Sequence, residues 1–170
     1  MPVNRFIAAT NANDEVPQYL KSGVFEPRPS IQTIANAMDV GNPSNFERML
    51  QIFDNDHMAI SSMIAGHSST DDEIRATMKQ YWNDHNVLLC PHTAAGVRAV
   101  DQIKNTLSDG AAVVLATAHA GKFSEVVNEA TGTEPEIPER LARLMSLPKR
   151  AILVENNVDD LKRVLEQQFG

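Results

Sequence analysis

An α/β fold, with a mainly parallel sheet flanked by helices, is what the order of patterns along this chain predicts. Short continuous apolar runs alternate with stretches of helical spacing. Polar residues gather immediately after several of the apolar runs. Apolar residues make up 42% of the chain and aromatics only 5%, so the core is aliphatic. Runs of this kind read as strands buried on both faces, and their alternation with helices implies βα units. At 170 residues the chain is long enough for one such domain with a sizeable core.

The elements follow in order. Phe6–Thr10 reads as a strand that ends in Asn11, Asn13 and Asp14. Asn13 or Asp14 caps a short helix over Glu15–Lys21 that stops at Gly23. Residues 24–44 carry Pro27, Pro29, Gly41 and Pro43, too many breakers for a regular element. Their Ile31, Ile34, Ala35, Met38 and Val40 make the segment a packed loop rather than a disordered one. A helix from Ser44 or Asn45 fits Phe46, Met49, Leu50 and Phe53, whereas Met58–Ala65 is apolar without a clear period. Thr70 followed by Glu73 forms a capping box and opens a helix facing Ile74, Met78 and Tyr81 or Trp82 inward.

Val87–Leu89 reads as a short buried strand. Helical spacing then runs through Ala94, Val97, Val100, Ile103 and Leu107 to a Ser-Asp-Gly stop at 108–110. The apolar run 112–116 reads as a strand, breaks into Thr117-Ala118-His119, and leads to a helix with Phe123, Val126, Val127 and Ala130. After a polar link come a helix with Leu141, Leu144 and Met145 inward and a last strand at Ala151–Val154. Asn157 then caps a helix burying Val158, Leu161, Val164, Leu165 and Phe169.

Composition narrows the function classes. A net charge of −7 without a basic stripe predicts neither nucleic acid nor an anionic membrane as partner. The single cysteine, Cys90, excludes an internal disulfide. No leader and no long apolar span are legible, so a soluble cytoplasmic setting is expected. A domain seldom opens on a core strand as early as Phe6, so a preceding portion is expected to be missing.

Four segments hold polar residues among small or apolar neighbours: ATNAND (9–14), TIANAMDVGNPSNFERML (33–50), CPHTAAG (90–96) and ATAHAGKF (116–123). Ligands in α/β sheets bind beyond the carboxyl ends of the strands, where these segments would converge. The candidate site residues in these segments are Asn11, Asp39, Ser44, Asn45, Arg48, Thr117 and His119. Each also has a structural reading. Asn11 and the residues after it can cap a helix, Asp39 can accept amides of its own loop, and Ser44 and Asn45 can cap. Backbone amides at that helix start, with Arg48 one turn inside, could instead hold an anion. Thr117 can cap the next helix, and His119 can satisfy its turn. His92 and Thr93 read as helix entry. His57, His67, His85, His92 and His119 show no metal-ligand spacing, and no metal site is expected. Nucleophile-elbow, dinucleotide and P-loop motifs are missing. Cys90 beside an apolar strand reads as inert core more readily than as a nucleophile.

Taken together, FIAATNANDEVPQYLKSG, ANAMDVGNPSNFERML, CPHTAAG and ATAHAGKF resemble the C-terminal portion of the threonine synthase family, in its usual order. The resemblance implies part of a tryptophan-synthase-like (type II) fold that depends on pyridoxal phosphate. It implies conversion of O-phospho-L-homoserine and water into L-threonine and phosphate. Residues 1–170 would be the C-terminal portion of that catalytic fold, and the partner would be the N-terminal portion bearing the Schiff-base lysine and the phosphate-cradling loop. No lysine here matches that one, so no catalytic residue is assigned and the chain alone is expected to be inactive. By resemblance, Thr117 bonds the pyridine nitrogen of the cofactor, and the NAMD…PSN loop faces the active site, with Asn36, Asp39, Ser44, Asn45 and Arg48 as candidates. Two departures stand out: Ala120-Gly121 replaces the family's Pro-Ala, and Cys90 replaces an Asp. Two other readings are a noncatalytic ligand-binding or interaction domain and a phospho-lyase that stops before water is added.

Overall fold

A computed structural model describes residues 3–106 and 110–170. Leu107 and the Ser108-Asp109 part of the expected helix stop lie outside the described residues, as do Met1 and Pro2. The chain divides into two compact units, one ending at Ile137 and the other covering Pro138–Gly170.

In the first unit, β1 (Phe6–Thr10) pairs in parallel with β2 (Ile64–Ser68), from Phe6 opposite Ile64 to Thr10 opposite Ser68. The parallel pairing agrees with the expected fold class. The segment without a clear period resolves into α3 (His57–Met63), capped by the Asp56 carboxylate on the amides of Met58 and Ala59, followed directly by β2. Between β1 and α3 lie α1 (Glu15–Ser22) and α2 (Phe46–Ile52). Helix α1 ends where Gly23 turns left-handed at φ 76°. It presses so closely on β2 that a Cβ at Gly66 would stand 2.7 Å from Cα of Pro17. The loop 28–41 closes with the Arg28 amide donating to the Gly41 carbonyl, and a Cβ on Gly41 would collide with the Arg28 carbonyl at 1.9 Å.

Helix α4 (Asp71–His85) has the expected capping box. The Thr70 hydroxyl accepts the Glu73 amide, and the Glu73 carboxylate accepts the Thr70 amide. Helix α5 (Pro91–Ile103) starts with proline in its first turn, where no amide is needed. Its cap is Cys90, whose sulfur accepts the Thr93 amide at 3.4 Å. An aspartate carboxylate would make the same cap more strongly than a thiol does. Cys90 is buried, in keeping with its reading as core. Helix α6 (Ser124–Thr131) follows a 3₁₀ turn at Ala120–Phe123.

Two hydrophobic cores result. Ile74 and Met78 of α4 pack with Ala94, Ala95 and Val97 of α5, Val127 of α6, and Ala35, Leu89 and Ala120. Tyr19 and Leu20 of α1 pack with Phe46 and Ile60, and Phe25 stacks on Phe46 at 3.7 Å between ring centroids.

Three expected strands differ. Residues 87–89, 112–116 and 151–154 make no ladder among the described residues. An apolar run reports burial, whereas a strand also needs a hydrogen-bonded neighbour, which β1 and β2 supply only to each other. Accordingly Val113 is 70% exposed and Leu115 77%. In the second unit, α7 (Glu139–Met145) and α8 (Val158–Phe169) form with the expected Asn157 cap. Their apolar faces are nonetheless open: Leu144, Met145, Val158, Leu161, Leu165 and Phe169 are exposed rather than buried. No described helix is long and apolar enough to cross a membrane.

Candidate functional site

The carboxyl end of β1 delivers Asn11 into the interior, and its amide organises the loop that follows α1. Asn11 Nδ2 donates to Thr33 Oγ1 at 2.8 Å, to the Ala35 carbonyl at 3.2 Å and to Asp39 Oδ1 at 2.7 Å. Its Oδ1 accepts from the backbone and side chain of Asn13. Asn13 in turn donates to the Ile31 carbonyl and accepts the Ile31 amide. Asn13 is therefore a tie to the loop rather than a helix cap. Asp14 occupies the cap position of α1 without bonding its amides. It accepts from Gln18 and pairs with Arg28. Burial alone would raise the Asp14 pKa, but the bonds from Gln18 and Arg28 bring it below the ordinary value.

Asp39 closes the network. Its Oδ1 accepts from Asn11, Asn13 and the Thr33 hydroxyl, and its Oδ2 accepts the Thr33 amide. A carboxylate holding four donors anchors its loop. That supports the structural reading for Asp39 and Asn11. The loop is tied at two further points. The Asp71 carboxylate at the start of α4 accepts the Ile34 amide, and His92 Nε2 at the start of α5 accepts the Ala37 amide at 3.1 Å. The result is a pinned 3₁₀ turn, Asn36–Met38, with the Asn36 side chain exposed.

The segment after the 112–116 run meets this loop through α5. The His92 ring lies against Phe123, with centroids 4.8 Å apart, and Ala120 joins the core that includes Ala35. His119 caps the 3₁₀ turn by accepting the Gly121 amide at Nδ1, at 3.1 Å. Its structural reading is the one the geometry supports. Thr117, two residues earlier, is exposed and caps nothing: its hydroxyl has no hydrogen-bond partner among the described residues. Gly121 is buried, and a Cβ there would meet His119 Nδ1 at 3.2 Å and the Glu136 carbonyl at 3.3 Å. The Ala-Gly departure is thus fitted to its surroundings.

Ser44, Asn45 and Arg48 fall elsewhere. They are exposed around the start of α2, next to Phe46, which belongs to the other core. Asn45 stands at the cap position without making the bond, and a helix of only seven residues offers a weak dipole for an anion. A shallow hollow there is lined by Phe25, Asn42, Pro43, Ser44, Phe46 and Glu47. Sequence reasoning expected Asn11, Asn36, Asp39, Ser44, Asn45, Arg48, Thr117 and His119 to converge; Asn11, Asp39 and the turn carrying Asn36 share one network, and Ser44, Asn45 and Arg48 lie beside the other core. It read Asp71 as structural and His92 as helix entry, and it did not foresee the ties that these residues and Thr33 make to partners 37, 55 and 6 residues away.

All six lysines, at 21, 79, 104, 122, 149 and 162, are exposed.

Comparison with known proteins gives consistent matches. Residues 93–165 match the family model described as threonine synthase, C-terminal. The threonine synthase of Haemophilus influenzae is 34% identical over 170 residues, a stretch that covers 97% of this chain and 38% of that protein. The threonine synthase of Escherichia coli is 34% identical over 148 residues, covering 87% of this chain and 34% of that protein. Among solved structures, threonine synthase from Escherichia coli superposes with a TM-score of 0.84 at 30% identity, over 98% of this chain and 38% of that one. The pyridoxal-phosphate-bound threonine synthase from Brucella melitensis superposes with a TM-score of 0.79 at 30% identity, over 98% of this chain and 40% of that one. The chain spans about two fifths of the length of these relatives.

Proposed function

We propose that this chain, similar to threonine synthases along nearly its whole length, is a counterpart of the C-terminal portion of that family and supplies one wall of a pyridoxal-phosphate site. The reaction served is the conversion of O-phospho-L-homoserine and water into L-threonine and phosphate. The observation that carries this reading is the exposed Thr117 hydroxyl, free of internal bonds on a segment braced by α5. A neutral hydroxyl suits a pyridine nitrogen: it can donate a hydrogen bond without transferring a full proton, as a carboxylic acid would.

The cofactor, when bound, supplies carbanion stabilisation. This chain's residues position and tune. Thr117 would hold the ring nitrogen unprotonated, which limits electron withdrawal from the substrate α-carbon and favours movement of charge toward Cβ and Cγ. Loss of phosphate from Cγ and addition of water at Cβ then become accessible. Asn36, exposed on its pinned turn, is the loop residue best placed to meet a polar substrate. Ser44, Asn45 and Arg48 form a separate exposed group on α2. The lysine and the phosphate loop would come from an N-terminal portion, which would also cover Val113 and Leu115.

A direct test titrates pyridoxal phosphate into the 170-residue chain alone and into the chain joined to the N-terminal portion of the Escherichia coli enzyme. The chain alone should retain no cofactor through gel filtration and form no threonine. The joined protein should do both. Threonine formation by the chain alone would overturn the division of labour. Release of phosphate with an unsaturated amino acid in place of threonine would favour the phospho-lyase reading.

A further inference from the structure

We propose that His92 is a positioning residue, a neutral bracket that fixes the Asn36 turn against the segment bearing Thr117. Three observations meet at this one ring. Its Nε2 accepts the Ala37 amide at 3.1 Å, from a turn 55 residues away. Its ring lies tilted against Phe123, with centroids 4.8 Å apart, four residues beyond His119 and six beyond Thr117. Its backbone belongs to the first turn of α5, beside the Cys90 cap and the buried Pro91 and Thr93. Loop, helix and turn therefore share one rigid joint. Asn36 and Thr117, the exposed residues on either side of it, keep their spacing through His92.

The protonation state follows from the geometry. A nitrogen that accepts an amide hydrogen carries none of its own, so the neutral ring holds its proton on Nδ1. Nδ1 is buried and has no protein partner among the described residues. Protonating the ring would set an Nε2–H against the Ala37 N–H and break the tie. Burial is the larger influence and lowers the His92 pKa below the ordinary histidine value, while Asp39 pulls the other way. Asp39 of the loop acts on the ring, and the elements packed with it carry Arg98 on α5 and Lys122 and His119 at the 3₁₀ turn 120–123. Arg98 is paired with Glu73, Lys122 is exposed, and His119 is turned to Gly121. The neutral bracket is the form present at neutral pH. It opens as pH falls through the depressed His92 pKa.

Two substitutions separate the bracket from simple packing. His92→Phe keeps an aromatic ring against Phe123 and removes the acceptor. His92→Gln offers an amide oxygen where Nε2 stood. In the 170-residue chain, amide exchange at Ala37, corrected for its intrinsic pH dependence, should quicken about tenfold in the Phe variant, as for loss of one hydrogen bond. The Gln variant should stay near wild type. Wild-type protection should fall at acidic pH and the Gln variant should not follow it. If the Phe variant fails to fold, the wild-type and Gln pH profiles still decide.

In the joined enzyme, the Phe variant should lower kcat about tenfold or more through misplacement of Asn36 against Thr117. The Gln variant should restore the rate and lose the acid limb of the kcat profile. Ala37 protection that ignores both substitutions and pH would overturn the proposal. So would a Phe variant with altered exchange but wild-type kinetics. The role in catalysis rests on the proposed function above. Failure of the wild-type joined protein to make threonine would count against that reading alone, because exchange at Ala37 reads the bracket without cofactor.

Discussion

Asn11 and Asp39 divide one task between an amide and a carboxylate. The amide supplies donors to three loop groups, and the carboxylate accepts from four. Asn11→Ala removes the donors and leaves buried acceptors unpaired, so it should cost about 2 kcal/mol or more, read as a lowered urea midpoint at unchanged slope. Asn11→Asp should be worse, since it sets a second carboxylate against Asp39. Asp39→Asn places an NH2 group among donors and should loosen the same loop. Asn11 was legible as a polar group after a strand and Asp39 as one within the packed loop, but their role was not. The pattern shows where a polar residue lies, whereas the direction of its bonds depends on a loop more than 20 residues away. His92 was less legible still. Pro91 beside it gives a complete local reason for the sequence at that point.

Helix α4 shows what local sequence does determine. Thr70 and Glu73 satisfy each other's amides regardless of the rest of the molecule, so the box is readable from four residues. Thr70→Ala should cost about 1 kcal/mol in thermal unfolding. The Thr70 amide bond is the leading cause that holds the Glu73 pKa below its ordinary value, with help from Arg98. A depressed carboxyl contributes stability above its unfolded pKa and loses it as pH falls through the folded one. The wild type should therefore lose stability more steeply than Glu73→Gln below the ordinary glutamate range, in urea melts taken from pH 6 downward. The pairing of β1 with β2 was half legible. β1 stands clear between polar residues, whereas β2 follows α3 without punctuation and the joint run shows neither period cleanly. Gly66 marks the contact: Gly66→Ala should force α1 off β2 and cost about 1–3 kcal/mol, as overpacking does.

At the scale of the molecule, the runs 112–116 and 151–154 and the apolar faces of α7 and α8, all expected to be buried, are left largely open. Val113, Leu115, Leu153 and the α8 face at Val158, Leu161, Leu165 and Phe169 are apolar and exposed. Hydrophobic patterning records burial in the whole protein, and this chain spans about two fifths of its relatives' length. Polar substitutions at Val113 and Leu115 should leave the 170-residue chain folded, by circular dichroism, while weakening its union with an N-terminal portion. That union also allows the central claim to be measured, namely that Thr117 faces the ring nitrogen of the cofactor. The measurement is kcat for threonine formation by the joined enzyme carrying Thr117→Val, with bound cofactor quantified in the same sample. Cofactor retained with kcat lowered about 100-fold or more is the predicted result, the scale of losing one preorganised donor. An unchanged kcat with cofactor retained would contradict it and remove Thr117 from the site.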